Sequence, residues 1–118
     1  MSEPMWIMIA GPYRTGAASE AERAANLRSL NLAAWEVFRK GHVPLIGVNA
    51  ALPIIEAAGR ETYDQIMLPL SLALAERCDA ILRIGDDSPG ADSEVDAVRR
   101  VGGRVFRDAS EIPAHGAP

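Results

Sequence analysis

The chain has 118 residues, the length of one domain, and this is enough to bury a core without disulfide or metal support. Its formal net charge of −4 argues against a nucleic-acid polymer as partner, although a free nucleotide needs only one local cation. The chain has one cysteine, so no intrachain disulfide can form. The N-terminal residues are acidic rather than basic, and no apolar segment approaches the roughly 20 residues that a membrane span needs. We therefore expect a cytoplasmic protein with no membrane partner.

Apolar runs and helically spaced apolar residues alternate along the chain. In chain order they predict a strand at residues 5–10, a helix at 19–40, a strand at 42–46, helices at 49–58 and 61–77, a strand at 79–84, a helix at 93–101 and a strand at 104–106. Strands separated by helices form right-handed βαβ units. We therefore expect one three-layer α/β domain over residues 1–118, with a parallel sheet of four to five strands in flavodoxin-like or Rossmann-like order and helices on both faces. Residues from about 109 to 118 are expected to be a frayed tail.

Individual residues refine these elements. Ser19 begins a capping box, which marks the start of the first helix. Trp35 and Phe38 belong to the apolar stripe of that helix and are expected in the core. Pro44 favours a sheet edge for the second strand, and Pro69 predicts a kink or two abutting helices in the segment 61–77.

The loop after the first strand reads Gly-Pro-Tyr-Arg-Thr-Gly and offers binding groups. Its spacing matches the start of a phosphate-binding P-loop, but alanines stand where the lysine and hydroxyl residue belong, so triphosphate cleavage is not expected. Gly11 lets a ligand approach the backbone, Tyr13 can stack on a ring, and Arg14 can hold a phosphate or carboxylate. The alternative is that Tyr13 and Arg14 are only exposed loop residues.

The loop after the third strand, Ser88 to Glu94, leads into a helix. Free amides at a helix N-terminus favour anions, and Ser88 adds a hydroxyl. Glu94 is predicted in the first turn, where the helix dipole would keep its carboxylate ionised and able to attack a sugar anomeric carbon. The alternative is that Glu94 merely complements the dipole. In parallel sheets ligands bind beyond the carboxyl ends of the strands, so this loop and the first are expected to meet.

Other reactive residue types have simpler explanations. Asp86 and Asp87, without histidine or cysteine nearby, indicate a solvated loop, and we expect no metal. His42 is interpreted as a connector between helix and strand, and Cys78 as an inert buried thiol.

Four motifs together resemble the nucleoside 2-deoxyribosyltransferase-like superfamily, and most of all its small bacterial and phage-associated members. The resemblance extends from Met5 to about Phe106. The motifs are Ile9-Ala10-Gly11-Pro12-Tyr13-Arg14, Gly41-His42-Val43-Pro44, Cys78-Asp79-Ala80-Ile81 and Ser88-x-Gly90-Ala91-x-x-Glu94. Characterised relatives cleave the N-glycosidic bond of deoxynucleosides or nucleotides, by transfer to another base or by hydrolysis.

The resemblance implies a role for each motif residue. Glu94 would be the nucleophile on C1′, forming a glycosyl–enzyme intermediate. Ser88, Gly90 and Arg14 would contact the phosphate or sugar end of the substrate, and Tyr13 would lie near the ring. It also implies a nucleoside or nucleoside monophosphate as substrate, no metal or organic cofactor, and a homodimer or higher homo-oligomer in which the partner closes the site.

One position departs from the family. Where the family usually has an aspartate on the helix before the third strand, this chain has Ser71, which can bind substrate by hydrogen bonds but cannot act as an acid near neutral pH. Asp64, Asp86 and Asp87 are candidate substitutes. The leading hypothesis is therefore an N-glycosidase or deoxyribosyltransferase-like enzyme. The alternatives are a nucleotide-binding or sensing module with impaired catalysis, or a phage-related accessory protein.

Overall fold

The computed structural model describes residues 3–116, and its strands and helices alternate along the chain. The elements are β1 (Trp6–Ala10), α1 (Glu20–Arg39), β2 (Val43–Leu45), α2 (Gly47–Ala58), α3 (Tyr63–Ala75), β3 (Ala80–Arg83), α4 (Pro89–Arg100) and β4 (Arg104–Phe106), with short 3-10 turns at Arg60–Thr62 and Ala109–Glu111. These bounds confirm the predicted order of elements.

The four strands form one parallel sheet in the order β2-β1-β3-β4. The predicted α/β class is confirmed, with four strands and the flavodoxin-like order. Pro44 lies in the edge strand β2, where its missing N–H costs the sheet no interior hydrogen bond. Strand order reverses between β1 and β3, because β2 lies on one side of β1 and β3 on the other. The carboxyl ends of β1 and β3 are therefore the expected position for a ligand.

Two hydrophobic clusters cover the two faces of the sheet and make the fold three-layered. Side chains alternate between the faces along β1, so Ile7 and Ile9 join one cluster while Met8 joins the other. The first cluster contains Leu30 and Val37 of α1. The second contains the packed residues of α3 and α4 together with Cys78, which is a buried thiol as predicted.

Helix α1 begins as predicted but exposes residues that were expected in the core. The Ser19 hydroxyl accepts a hydrogen bond from the Glu22 N–H at 3.2 Å. The prediction that Trp35 and Phe38 are buried is wrong, since they are 55% and 61% exposed. Small residues and a long polar stretch make α1 only weakly amphipathic, and the side that faces the sheet is the one carrying Leu30 and Val37.

Helix α3 runs through Pro69 without interruption, so the prediction of two abutting helices is wrong. Pro69 lies on an exposed face, where water can bond the carbonyl that the missing N–H leaves free. Although α2 and α3 are mostly apolar, no helix within residues 3–116 has the length and hydropathy needed to cross a membrane.

The segment after β4 is packed on the domain, so the expected fraying is wrong for residues 109–115. Ile112 is 2% exposed in the cluster shared with α1, and the Lys40 ammonium donates hydrogen bonds to the Ala109 and Ile112 carbonyls. His42 accepts from the Met5 N–H at Nδ1 (3.0 Å) and donates from Nε2 to the Pro113 carbonyl (2.6 Å). These contacts support the connector role predicted for His42. Residues 117 and 118 lie outside the described part of the chain.

Candidate functional site

A small cavity of about 110 Å³ lies at the carboxyl ends of β1 and β3. Its walls come from the loop after β1, the start of α2, one face of α3 and the start of α4. The structure brings together all seven residues that the sequence proposed for a site. They are Gly11, Tyr13, Arg14, Ser71, Ser88, Gly90 and Glu94.

Glu94 lies in the second turn of α4, and its predicted place in the first turn is wrong. The helix begins at Pro89, with the Ser88 hydroxyl accepting from the Ala91 N–H at 3.2 Å as the N-cap. Serine followed by proline is a strong start signal, because proline at the first helical position lacks an N–H that would be unpaired anyway. Glu94 follows Gly90 by one turn of this helix, and both residues line the cavity.

Burial raises the pKa of Glu94 to about 7. A hydrogen bond with the Ser71 side chain and the positive charge of Arg83 oppose this rise without cancelling it. At neutral pH the carboxyl group is therefore only partly ionised, unlike the ionised carboxylate predicted from the helix dipole. A carboxyl group that titrates near neutral pH can serve either as a nucleophile or as a proton donor.

Gly47, the first residue of α2, packs directly against the pair formed by Glu94 and Ser71. A Cβ at this position would overlap the Ser71 hydroxyl, and it would lie 2.8 Å from Ser71 Cβ and 3.0 Å from Glu94 Oε2. No side chain caps the N-terminus of α2, and the contact at Gly47 places this helix end beside the Glu94 carboxyl group. Glycine is thus required here by the close approach of the helix to Glu94.

Arg14 stacks on Tyr63, a residue that the sequence did not single out. The guanidinium carbon lies 3.3 Å from the centre of the Tyr63 ring. Burial raises the pKa of the Tyr63 hydroxyl, and the charge of Arg14 partly offsets this effect. Tyr63 therefore presents a neutral ring, whose face attracts the cation.

The loop after β1 is fixed by contacts within the protein. The Asn26 side chain of α1 donates to the Tyr13 carbonyl at 2.9 Å, which anchors the loop beside the cavity. A Cβ on Gly11 would lie 2.8 Å from the Ile84 carbonyl oxygen, so this glycine allows β1 and β3 to pack closely where they end. The space at Gly11 is filled by protein, whereas a Cβ on Gly90 would meet no atom within 4 Å.

Arg83, at the end of β3, organises the loop that leads to α4. It is 8% exposed, and it donates to the Asp92 carboxylate at 3.1 Å, to the Asp86 carbonyl at 2.8 Å and to the Ile84 carbonyl. A buried guanidinium with three acceptors holds the backbone ahead of Ser88 in one conformation.

The acids considered as substitutes for the missing aspartate lie elsewhere. Asp64, Asp86 and Asp87 are exposed and do not line the cavity, and within residues 3–116 Glu94 is the only carboxylate that does. Asp86 and Asp87 instead line an open neighbouring groove of about 1290 Å³, which meets the cavity at Thr15. The described residues hold no group of three or more histidine, cysteine or carboxylate side chains suited to a metal.

Cys78 takes no part in the chemistry of the cavity. Burial raises the pKa of its thiol to about 11, and the carboxylates of Asp79 and Glu94 add to this. The thiol is therefore protonated at neutral pH and inert.

Sequence reasoning missed the apolar wall of the cavity, which comes mainly from α3. Tyr63 and Met67 precede Ser71 by two turns and one turn of helix, so all three share one face. Because Ser71 was already a candidate, the same periodicity could have identified both. Val48 and Leu68 complete this wall.

Comparison with family models finds no match for this chain, and comparison with curated proteins finds none either. The likeness to the nucleoside 2-deoxyribosyltransferase-like superfamily therefore stays a prediction. It depends on the four motifs given above.

Proposed function

We propose that this protein cleaves the N-glycosidic bond of a (deoxy)nucleoside or nucleoside monophosphate, with Glu94 as the nucleophile on C1′. The observation that carries the proposal is the convergence of a partly buried carboxyl group, a stacked arginine and two tyrosines on one small cavity. The motif resemblance supports the choice of a nucleoside over other glycosides.

The proposed reaction has two steps. A Glu94 oxygen forms a bond to C1′ while the C1′–N bond breaks, and the electron pair of that bond leaves with the base. The base then takes a proton from water. In the second step water, or an N–H nitrogen of a second base, attacks C1′ and releases the Glu94 carboxylate, and the attacking group loses its proton to the hydroxide that the first step left. Ser71 supports the ionised carboxylate through its hydrogen bond but supplies no proton.

The small size of the cavity favours a binding mode in which only the sugar of the substrate lies beside Glu94 and the base lies outside the cavity. Complete ligand pockets usually measure about 300–1,000 Å³, whereas this cavity measures about 110 Å³. The sugar would occupy the cavity, and Tyr13 would stack on the base at its mouth.

Base release from a panel of nucleosides and deoxynucleoside monophosphates, followed by chromatography, tests the proposal. We expect release by the natural protein and at least a thousandfold less by Glu94→Gln. Asp96→Asn is the matched control, because it makes the same carboxylate-to-amide change on an exposed position of α4 and should retain activity. Full activity in Glu94→Gln would exclude Glu94 as nucleophile.

The pH dependence gives a second test. The nucleophile must be ionised and its pKa is about 7, so kcat/KM should rise with pH through neutrality and level off above pH 8. A rate that falls through neutrality would instead indicate that Glu94 acts as a proton donor.

A second candidate function is a nucleotide-binding module without catalysis. Ser71 favours it, because this serine stands where the family usually has an aspartate and cannot act as an acid toward the departing base. Under this alternative no base is released, but a nucleoside monophosphate raises the melting temperature. No release and no thermal shift would contradict both functions.

We also propose that two copies associate, as the resemblance implies. The exposed apolar face of α1 supports this, since Trp35 and Phe38 stack there with ring centres 6.1 Å apart beside the half-exposed Leu32. Sedimentation at tens of micromolar should show a dimer that Trp35→Ser weakens, and a monomer would contradict the idea. The cytoplasmic location stays a prediction.

A further inference from the structure

We infer that Tyr63 is a positioning residue that orients Arg14 as the receptor for the phosphate group of a nucleoside monophosphate. The inference rests on the proposed function. In this inference the preference for a phosphorylated substrate depends on the Tyr63 ring that holds the Arg14 side chain, and not on a second positive charge. Its basis is the position of the Arg14 guanidinium carbon over the face of the Tyr63 ring, 3.3 Å from the ring centre, at the wall of the cavity.

Stacking leaves the hydrogen-bonding edge of Arg14 available. The guanidinium donors lie in its plane, so a ring against one face occupies none of them. Within residues 3–116 no carboxylate forms an ion pair with Arg14 and no acceptor bonds its guanidinium. Arg14 is also the only cation among the described residues that line the cavity. An oriented and unneutralised guanidinium is suited to a bidentate anion such as phosphate.

Tyr63 can hold that orientation because it is itself fixed. Tyr63 is the first residue of α3 and is partly buried. It lies on the same face of the helix as Met67 and Ser71, and all three line the cavity. Arg14, by contrast, is an exposed loop residue whose long side chain would otherwise sample many rotamers. Ordering this side chain before the ligand arrives removes that entropic cost from binding.

The expected size of the effect follows from this ordering. Immobilising one flexible side chain and losing a partly exposed cation–π contact together correspond to about a five- to tenfold change in affinity. This change should be found on top of any effect on the plain sugar, and only for ligands that carry the phosphate, because Tyr63 acts on the phosphate through Arg14.

The test compares 2-deoxyribose 5-phosphate with 2-deoxyribose by titration calorimetry, which requires no catalysis. We expect Tyr63→Leu to weaken binding of the sugar phosphate about five- to tenfold more than it weakens binding of the plain sugar. Tyr63→Phe retains the ring and should restore natural affinity. Combining Tyr63→Leu with Arg14→Gln should cost no more than Arg14→Gln alone, since both changes remove one interaction.

Several results would overturn the inference. These are an equal loss for both sugars in Tyr63→Leu, additive losses in the double variant, no effect of Arg14→Gln, or no binding of the sugar phosphate by the natural protein. If Tyr63→Leu does not fold, Arg14→Lys tests the same contact, because lysine keeps the charge but has no plane to stack, and the same selective loss is expected. Absence of base release with selective sugar-phosphate binding would contradict the glycosidase proposal alone.

Discussion

The raised pKa of Glu94 makes a prediction about stability that does not depend on any substrate. The carboxyl group titrates at about 7 in the folded protein, against an ordinary value of 4.5 in an unfolded chain. Below pH 4.5 the carboxyl group is protonated in both states, so its titration does not change the free energy of unfolding. Between pH 4.5 and 7 the unfolded chain loses its proton first, so the free energy of unfolding falls as pH rises. Above pH 7 both states are ionised and the loss is complete.

The gap between the two pKa values sets the magnitude. It corresponds to a loss of about 3 kcal/mol at pH 8, a large share of the roughly 5–15 kcal/mol that stabilises a small domain. Glu94→Gln keeps the shape and can still bond with Ser71, but it carries no charge to desolvate. The variant should therefore be more stable than the natural protein at pH 8, with a much smaller difference, about 1 kcal/mol, at pH 5.

Urea unfolding at both pH values provides the measurement. The stability difference between Glu94→Gln and the natural protein should grow by about 2–3 kcal/mol from pH 5 to pH 8, while all other groups titrate equally in both and cancel. Asp96→Asn, the exposed control on the same helix, should show no such growth. A constant difference, or one that shrinks as pH rises, would refute the desolvation argument.

Other predictions follow from the packing around the cavity and from the C-terminal segment. Gly47→Ala places a methyl group against Ser71 and should destabilise the fold by about 1–3 kcal/mol in urea unfolding, with Ser71→Gly in the same chain recovering part of the loss. Arg83→Met removes a positive charge that lowers the pKa of Glu94. The pH at which Glu94 has lost half of its effect on the free energy of unfolding should therefore move to a higher value. An unchanged midpoint would show that the Arg83 charge is screened from Glu94. Ile112→Ala should cost about 2–5 kcal/mol because the side chain is buried, whereas a frayed end would give no loss.

The alternation of strands and helices was readable from the sequence because each element type has its own hydrophobic period. Once the first and third strands were assigned, parallel topology placed the loops that follow them at the same edge of the sheet. The motif likeness added Ser71, on a helix that no loop argument would have reached. Position in the fold and residue type thus identified the two loops of the cavity, and the motif likeness was needed for its α3 wall.

One feature that sequence reasoning missed has a local signal, and the others depend on contacts that no local pattern encodes. The sequence pattern predicts that α4 begins at residue 93, but the helix begins at Pro89, and Ser88 followed by Pro89 is a recognisable start signal. The ionisation of Glu94 depends on desolvation by surrounding elements, α2 among them, and sequence spacing does not measure it. Trp35 and Phe38 were misplaced because helical spacing identifies a stripe of apolar residues but does not say which side meets the sheet.

The imidazole of His42 joins the two ends of the folded domain. Its Nδ1 accepts a hydrogen bond from the Met5 N–H and its Nε2 donates one to the Pro113 carbonyl, so the backbone segments at Met5 and Pro113 lie at one corner of the domain. That corner is at the amino edge of the sheet, on the side away from the cavity. A fusion partner attached at either end would consequently lie away from the mouth of the cavity. Because the two ends of the domain are close together, a short linker could join them in a circular permutant.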